Sequence, residues 1–145
     1  MEQNDDSNGW QNPTDTEIEQ IVRKSKTIAV VGMSAKTEKA SFLVARYLMD
    51  QGYDIIPVNP SEKEILGLRA YPDLAAIGRP IDIVDVFRQA DATPPIVQEA
   101  ITVGSKYIWL QEGIISVESY QLAKNAGVPI IMDRCIAKEH RRLKG

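Results

Sequence analysis

Residues 27–46 read TIAVVGMSAKTEKASFLVAR, and the rest of the chain is arranged around them. An apolar run from Ile28 to Val31 stops at Gly32, and a short loop of small residues and lysines follows. Phe42, Ala45, Leu48 and Met49 then recur at helical spacing. The continuous run predicts a strand buried on both faces, and the recurrence predicts an amphipathic helix. Strand, glycine turn and helix in that order aim backbone N–H groups and a helix N-terminus beyond the carboxyl end of the strand, a setting suited to phosphate. This is the opening unit of a dinucleotide-type fold with an incomplete fingerprint. Where G-x-G-x-x-G would stand, residues 32–37 read GMSAKT and keep only the first glycine.

A chain of 145 residues fits one domain with a real hydrophobic core. Its apolar fraction of 43% and charged fraction of 26% are ordinary for a globular protein. The net charge of −3 argues against a nucleic-acid surface, which normally carries a basic excess. A single cysteine excludes an intramolecular disulfide and points to a reducing compartment. No apolar run reaches the ~18 residues that span a bilayer, and MEQNDDSNGW lacks a signal pattern. The expectation is a cytoplasmic protein without membrane contact.

Residues 1–13 are polar and acidic without a period, which predicts a disordered tail ahead of a domain over 14–145. Trp10 is expected to pack on the domain surface. Thr14 and Glu17 form a capping-box pattern before Ile18, Ile21 and Val22. Beyond the opening unit, the apolar stretches YDIIPV (53–58), IDIVDVF (81–87), KYIWLQ (106–111) and VPIIMD (128–133) alternate with helical segments. Thr93 is expected to cap one helix with Pro94 near its first position, Ser116 to start the next, and residues 137–143 to form a short charged helix. Gly52, Gly104 and Gly127 each end a helix just before a strand. Alternating strands and helices imply right-handed crossovers and a covered parallel sheet. The fold class is therefore α/β: a Rossmann-like three-layer αβα domain with a five-stranded parallel sheet in order 3-2-1-4-5.

Ligands of such sheets bind outside the carboxyl ends of the strands, where the strand order reverses. That rule selects the loops at 32–41, 59–63, 87–89, 110–113 and 133–135. Ser34 and Ala35 are small enough to let a phosphate approach the backbone, and Lys36 and Lys39 add positive charge. Ser41 is placed to cap the helix or to donate to a phosphate oxygen. The second strand ends in Val58-Asn59-Pro60 without the acid that holds free ribose hydroxyls, while Lys63 and Arg69 follow. Those cations suit a phosphorylated ribose. A plain strand-to-helix turn with solvated lysines is the alternative.

The stretches VVGMSAKTEKASF, GYDIIPVNPSEKEILG, DIVDVFRQADATPPIVQEAI, IWLQEGI and MDRCIAKEH resemble the stand-alone CoA-binding proteins of the CoA-binding domain family. More distantly they resemble the nucleotide-binding domain of succinyl-CoA synthetase α chains. The resemblance runs over about residues 27–143 and implies coenzyme A or an acyl-CoA as ligand. It implies that Gly32, Ser34, Ala35 and Lys36 hold the pyrophosphate, with Ser41 close by. It sets Asn59, Pro60 and Lys63 at the adenosine end, Lys63 meeting the ribose 3′-phosphate. Phe87 and Arg88 would flank the ligand across the crevice, and Leu110, Gln111, Glu112 and Gly113 would line the pantetheine path.

The synthetase relatives carry a catalytic phosphohistidine in a second domain, whereas the one histidine here, His140, lies in the charged stretch KEHRRLKG and reads as a surface helix residue. The loops offer no nucleophile, base and orienting acid together. Asp82, Asp85 and Asp133 flank strands and are expected to cap turns or helices. One histidine and one cysteine give no metal site. Cys135 leaves the last strand at the same edge as the phosphate loop, beside Arg134. It is either a thiol that meets the CoA thiol in a mixed disulfide or a small residue packed under the last helix. The leading expectation is non-catalytic binding of CoA or acyl-CoA, as a sensor or carrier, with no protein partner legible. The alternatives are an NADP-binding protein, an acyl-CoA-using enzyme component acting with another chain, and an interaction module with a vestigial pocket.

Overall fold

The strand that ends at Gly32 is flanked on both sides in a computed structural model that describes residues 9–144. The chain runs α1 (Asp15–Lys24), β1 (Thr27–Val31), α2 (Ala40–Asp50) and β2 (Asp54–Val58), then a hairpin of β3 (Glu64–Ile65) and β4 (Leu68–Arg69). It continues through β5 (Ile83–Val86), α3 (Thr93–Thr102), β6 (Tyr107–Leu110), α4 (Val117–Asn125), β7 (Ile130–Ile131) and α5 (Ile136–Lys144). Five parallel strands form the main sheet in the order β2-β1-β5-β6-β7.

Side chains alternate across this sheet with the strand period of two. Ile28, Val30, Ile83, Trp109 and Ile131 face one side and pack on Ile18 of α1, Ala45 and Leu48 of α2 and Ile136 of α5. Ala29, Val31, Val84, Val86, Ile108 and Leu110 face the other side, against Val97 and Ala100 of α3 and Ala123 of α4. The result is the expected three-layer αβα, Rossmann-like arrangement, with mainly apolar strands because both faces are covered.

The order matches the expected 3-2-1-4-5 pattern, with one reassignment. Outside β2 the third place is taken by a single parallel bridge from Val58 to Tyr71, and β5, the strand read from the sequence as third, lies on the opposite flank of β1. Pro57 supplies the reason. Its carbonyl faces outward and accepts from the Tyr71 N–H at 3.0 Å, so its missing N–H faces outward too. A proline confines β2 to an edge that takes only a bridge. All four residues of β5 are buried, which suits a strand paired on both sides.

The local signals act as expected at most ends. Thr14 and Glu17 close a complete capping box on α1, and Ser116 caps α4 by accepting from the Ser119 N–H at 3.1 Å. Thr93 does not cap. A turn of 3₁₀ helix at Ala90–Ala92 runs straight into α3, so Thr93 is already helical and its hydroxyl donates to the Ala90 carbonyl at 2.7 Å and meets the Ser119 hydroxyl at 2.8 Å. Of the expected tail, residues 1–8 lie outside the described residues. Trp10 is partly buried against the α3–α4 side of the core. Asn12 donates to the Met132 carbonyl at 2.9 Å and accepts from the Met132 N–H at 2.8 Å, pairing just beyond the edge strand β7 as a strand would.

Gly32 sits where β1 leaves the sheet. Its N–H donates to the Val58 carbonyl at 3.0 Å, and φ is +82°. A Cβ at this position would lie 2.7 Å from the Phe87 carbonyl oxygen, inside any real contact distance and against backbone rather than a yielding side chain. Replacing Gly32 by alanine is expected to destabilise the domain by roughly 1–3 kcal/mol or more, the cost of a strained backbone with a clash added. Thermal unfolding followed by circular dichroism measures it; an unchanged melting temperature would show that β5 yields freely.

Candidate functional site

The reversal of strand order beside β1 brings three loop ends together at the carboxyl edge of the sheet. The loop after Gly32 is held from inside. The Ser34 N–H donates to the buried Ser41 hydroxyl at 2.9 Å, and the Lys36 N–H donates to the Ser34 hydroxyl at 3.0 Å. Ser41 therefore shapes the loop rather than capping the helix. Lys39 occupies the cap position of α2, and among the described residues no side chain satisfies that helix start and no acid stands in its first turn. Such a terminus carries unsatisfied N–H donors and the positive end of the helix dipole. Ala35, Lys36 and Lys39 are exposed around it.

Asn59 reaches across from the end of β2. Its Nδ2 donates to the Met33 carbonyl at 2.9 Å and its Oδ1 accepts from the Ser61 N–H at 2.7 Å. The side chain is thus spent on clamping the two loops to each other. Pro60 and Lys63 are exposed beyond it, and the β3–β4 hairpin starts immediately after Lys63. Arg69, the other cation of this region, lies over the Tyr71 ring at 4.7 Å. On the opposite side, Phe87 is partly buried, and the Arg88 side chain crosses Gly32 so closely that its Cδ would be 2.9 Å from a Cβ there. The structure thus joins Gly32, Met33, Asn59, Phe87 and Arg88 through direct contact.

The loop after β6 forms the far wall. Leu110 is buried, as is Gln111, whose backbone N–H donates to the Val86 carbonyl at 3.3 Å. Glu112 pairs with Lys138 of α5 at 2.9 Å, and the Gly113 N–H donates to the Asp133 carboxylate at 2.7 Å. Cys135 is partly buried against the core, and its carbonyl accepts from the Glu139 N–H at 2.9 Å as α5 begins.

Asp82 and Asp133 behave as turn-holding carboxylates. Asp82 accepts from the Lys26 and Thr27 N–H groups, which hold its carboxyl below the usual range against the opposing effect of burial. Asp85 differs. It is fully buried in the middle of the sheet, Gln111 Nε2 donates to its Oδ1, and its Oδ2 has no partner among the described residues. Burial pushes its carboxyl up to about 8, only partly opposed by the Gln111 hydrogen bond. Among the described residues no group of three or more His, Cys, Asp or Glu could hold a metal, and no helix is long and apolar enough to cross a membrane.

Comparison with known proteins decides the family. The model of the CoA binding domain matches residues 26–141. The chain belongs to the CoA-binding domain family. The uncharacterized protein YneT of Bacillus subtilis is 42% identical over 130 residues, covering 90% of this chain and 96% of YneT. An ADP-forming acetate–CoA ligase of Archaeoglobus fulgidus is 25% identical over 121 residues, which are 77% of this chain but 18% of the ligase. A protein of Pyrococcus horikoshii of known structure superposes with a TM-score of 0.90 at 36% identity over the whole of both chains. The resemblance read from the sequence is therefore to the right family, and the matched residues include every loop of the crevice.

Two features escaped sequence reading. The Asp85–Gln111 pair joins residues 26 positions apart that β5 and β6 set side by side. An aspartate inside an apolar strand, IVDV, was the available signal. His140 is not a solvated surface residue either: its Nδ1 lies 2.8 Å from the Tyr47 hydroxyl, and its ring stands edge-on to Tyr47 and Tyr53.

Asp85 yields a pH prediction. Because its folded pKa of about 8 lies above the ordinary 3.8, the folded state holds a proton that the unfolded state releases. The group's contribution is complete below the lower value and is lost as pH rises through the upper one. Asp85→Asn cannot ionise, so its urea midpoint is expected to gain on the wild type steadily as pH rises across that window. A constant difference between the two proteins would show that Asp85 does not titrate there.

Proposed function

We propose that this domain binds coenzyme A or an acyl-CoA across the carboxyl edge of its sheet without catalysing a reaction on it, as a sensor or carrier in a reducing compartment such as the cytoplasm. The observation that carries the reading is the uncapped start of α2, with no acid in its first turn, reached through a loop that carries Lys36 and Lys39, with Arg88 packed against Gly32. It offers donors and positive charge to a pyrophosphate. Family membership supports CoA as the nucleotide. The exposed Lys63 beyond β2, with no carboxylate at the strand tip, favours a phosphorylated ribose. Binding without chemistry is supported by how the crevice acids are used: Asp85 is tied to Gln111, Asp133 to the Gly113 N–H and Glu112 to Lys138. Each of these three carboxyls already accepts a hydrogen bond or an ion pair.

Titration calorimetry with CoA, acetyl-CoA, NAD and NADP tests the reading. CoA is expected to bind more tightly than NAD and NADP; equal or tighter binding of either dinucleotide would overturn it.

The lysines divide the ligand. Lys36→Ala and Lys63→Ala are each expected to weaken CoA binding about ten- to a hundredfold, the scale of a charge-assisted contact, with little change in stability because both are exposed. Dephospho-CoA, which lacks the 3′-phosphate, should bind the wild type more weakly and be indifferent to loss of Lys63. If Lys63→Ala weakens both ligands equally, Lys63 does not meet that phosphate.

A further inference from the structure

A cavity of about 350 Å³ opens at the amino edge of the sheet, where α1, α2 and α5 all end. Five residues of β1 separate it from Gly32, about 17 Å of strand. Its walls include Val22, Leu143 and Tyr53, and its polar groups include Ser25, Lys26 and His140. Ser25 is 5% exposed, and its hydroxyl has no hydrogen-bond partner among the described residues. A buried hydroxyl left without a partner is costly unless something in the cavity meets it.

The chemistry of an occupant follows from which atoms are already used. Three helix-end carbonyls are committed: Ile21 accepts from the Ser25 N–H, Val22 from the Tyr53 hydroxyl, and Met49 from the Gly52 N–H. Burial raises the Tyr53 phenol above its ordinary pKa, which keeps that donor protonated. Glu19 is paired with Arg23 at 2.8 Å. Lys26 makes no side-chain ion pair among the described residues, and Ser25, its neighbour in the chain, lines the same cavity. Among the named side chains, those left without a partner are therefore an ammonium and a hydroxyl next to an apolar and aromatic wall. Acceptor oxygens on a small apolar body complement that set, and the volume is at the lower end of small-molecule sites.

We propose that this cavity is a second ligand site, separate from the CoA crevice, for a small monocarboxylate with a single-ring or short-chain body. The carboxylate meets Lys26 and the Ser25 hydroxyl, and the body lies against Val22, Leu143 and the Tyr53 ring.

His140 reports on the site directly, because it is the one histidine of the sequence and its ring proton signals are unambiguous in NMR spectra. Benzoate and hexanoate are titrated as probes, with acetate and benzamide as controls for body and charge. Both probes are expected to shift the His140 signals saturably, with each control at least fivefold weaker. Lys26→Gln is expected to weaken benzoate about fivefold, the scale of one exposed ion pair. Ser25→Ala is also expected to weaken it, while folding normally, since it removes an unpartnered hydroxyl. Saturating CoA should leave the benzoate titration unchanged. Absence of a saturable shift, benzoate binding that survives both substitutions, or displacement by CoA would each overturn the proposal; should Ser25→Ala fail to fold, Lys26→Gln decides alone.

Discussion

The crevice depends on a backbone approach that only glycine permits. At Gly32 the chain must leave β1 with positive φ while β2 accepts its N–H and the Phe87 carbonyl presses against the place a side chain would occupy. That contact sets the spacing between the loop after β1 and the end of β5. It also packs the Arg88 side chain closely against Gly32. A longer side chain at Gly32 would push β5 away and separate the walls that the strand order brings together.

Around that point most polar groups are used to hold loops rather than to face outward. Asn59 clamps Met33, Ser41 holds Ser34, and Asp133 holds Gly113. This internal use of donors and acceptors leaves the start of α2 and the rim lysines as the groups available to an anion. Pre-organised loops of this kind bind with less ordering cost than flexible ones. Membership of the CoA-binding domain family and this distribution of charge favour the same class of ligand from independent directions.

The two edges of the sheet offer contrasting environments. At the carboxyl edge a helix begins, and positive charge stands near unsatisfied N–H groups. At the amino edge three helices end, their named carbonyls are taken, and Tyr53 and His140 line the space, with Tyr47 packed against His140. The Asp85 carboxyl lies between them, buried in the sheet and kept neutral by its surroundings at ordinary pH. Its cost is limited because a neutral acid needs far less solvation than a carboxylate.

Strand and helix positions, the αβα layering and the crevice loops were legible in the sequence because each is a local pattern. Apolar runs, helical recurrence, the capping box at Thr14 and the helix-ending glycines all act over a few residues. Pairings between distant strands were not legible. Pro57 assigns the edge beyond β2 to a bridge from Tyr71, and β5 settles on the far flank of β1 because it needs partners on both sides. The same limit applies to side chains. Lysines and small residues singled out the loop after β1, yet only the folded chain shows that Asn59 and Ser41 turn inward, that Asp85 meets Gln111, and that His140 is enclosed by tyrosines. Local propensity acts through neighbours in sequence, whereas burial and hydrogen-bond partners are set by neighbours in space.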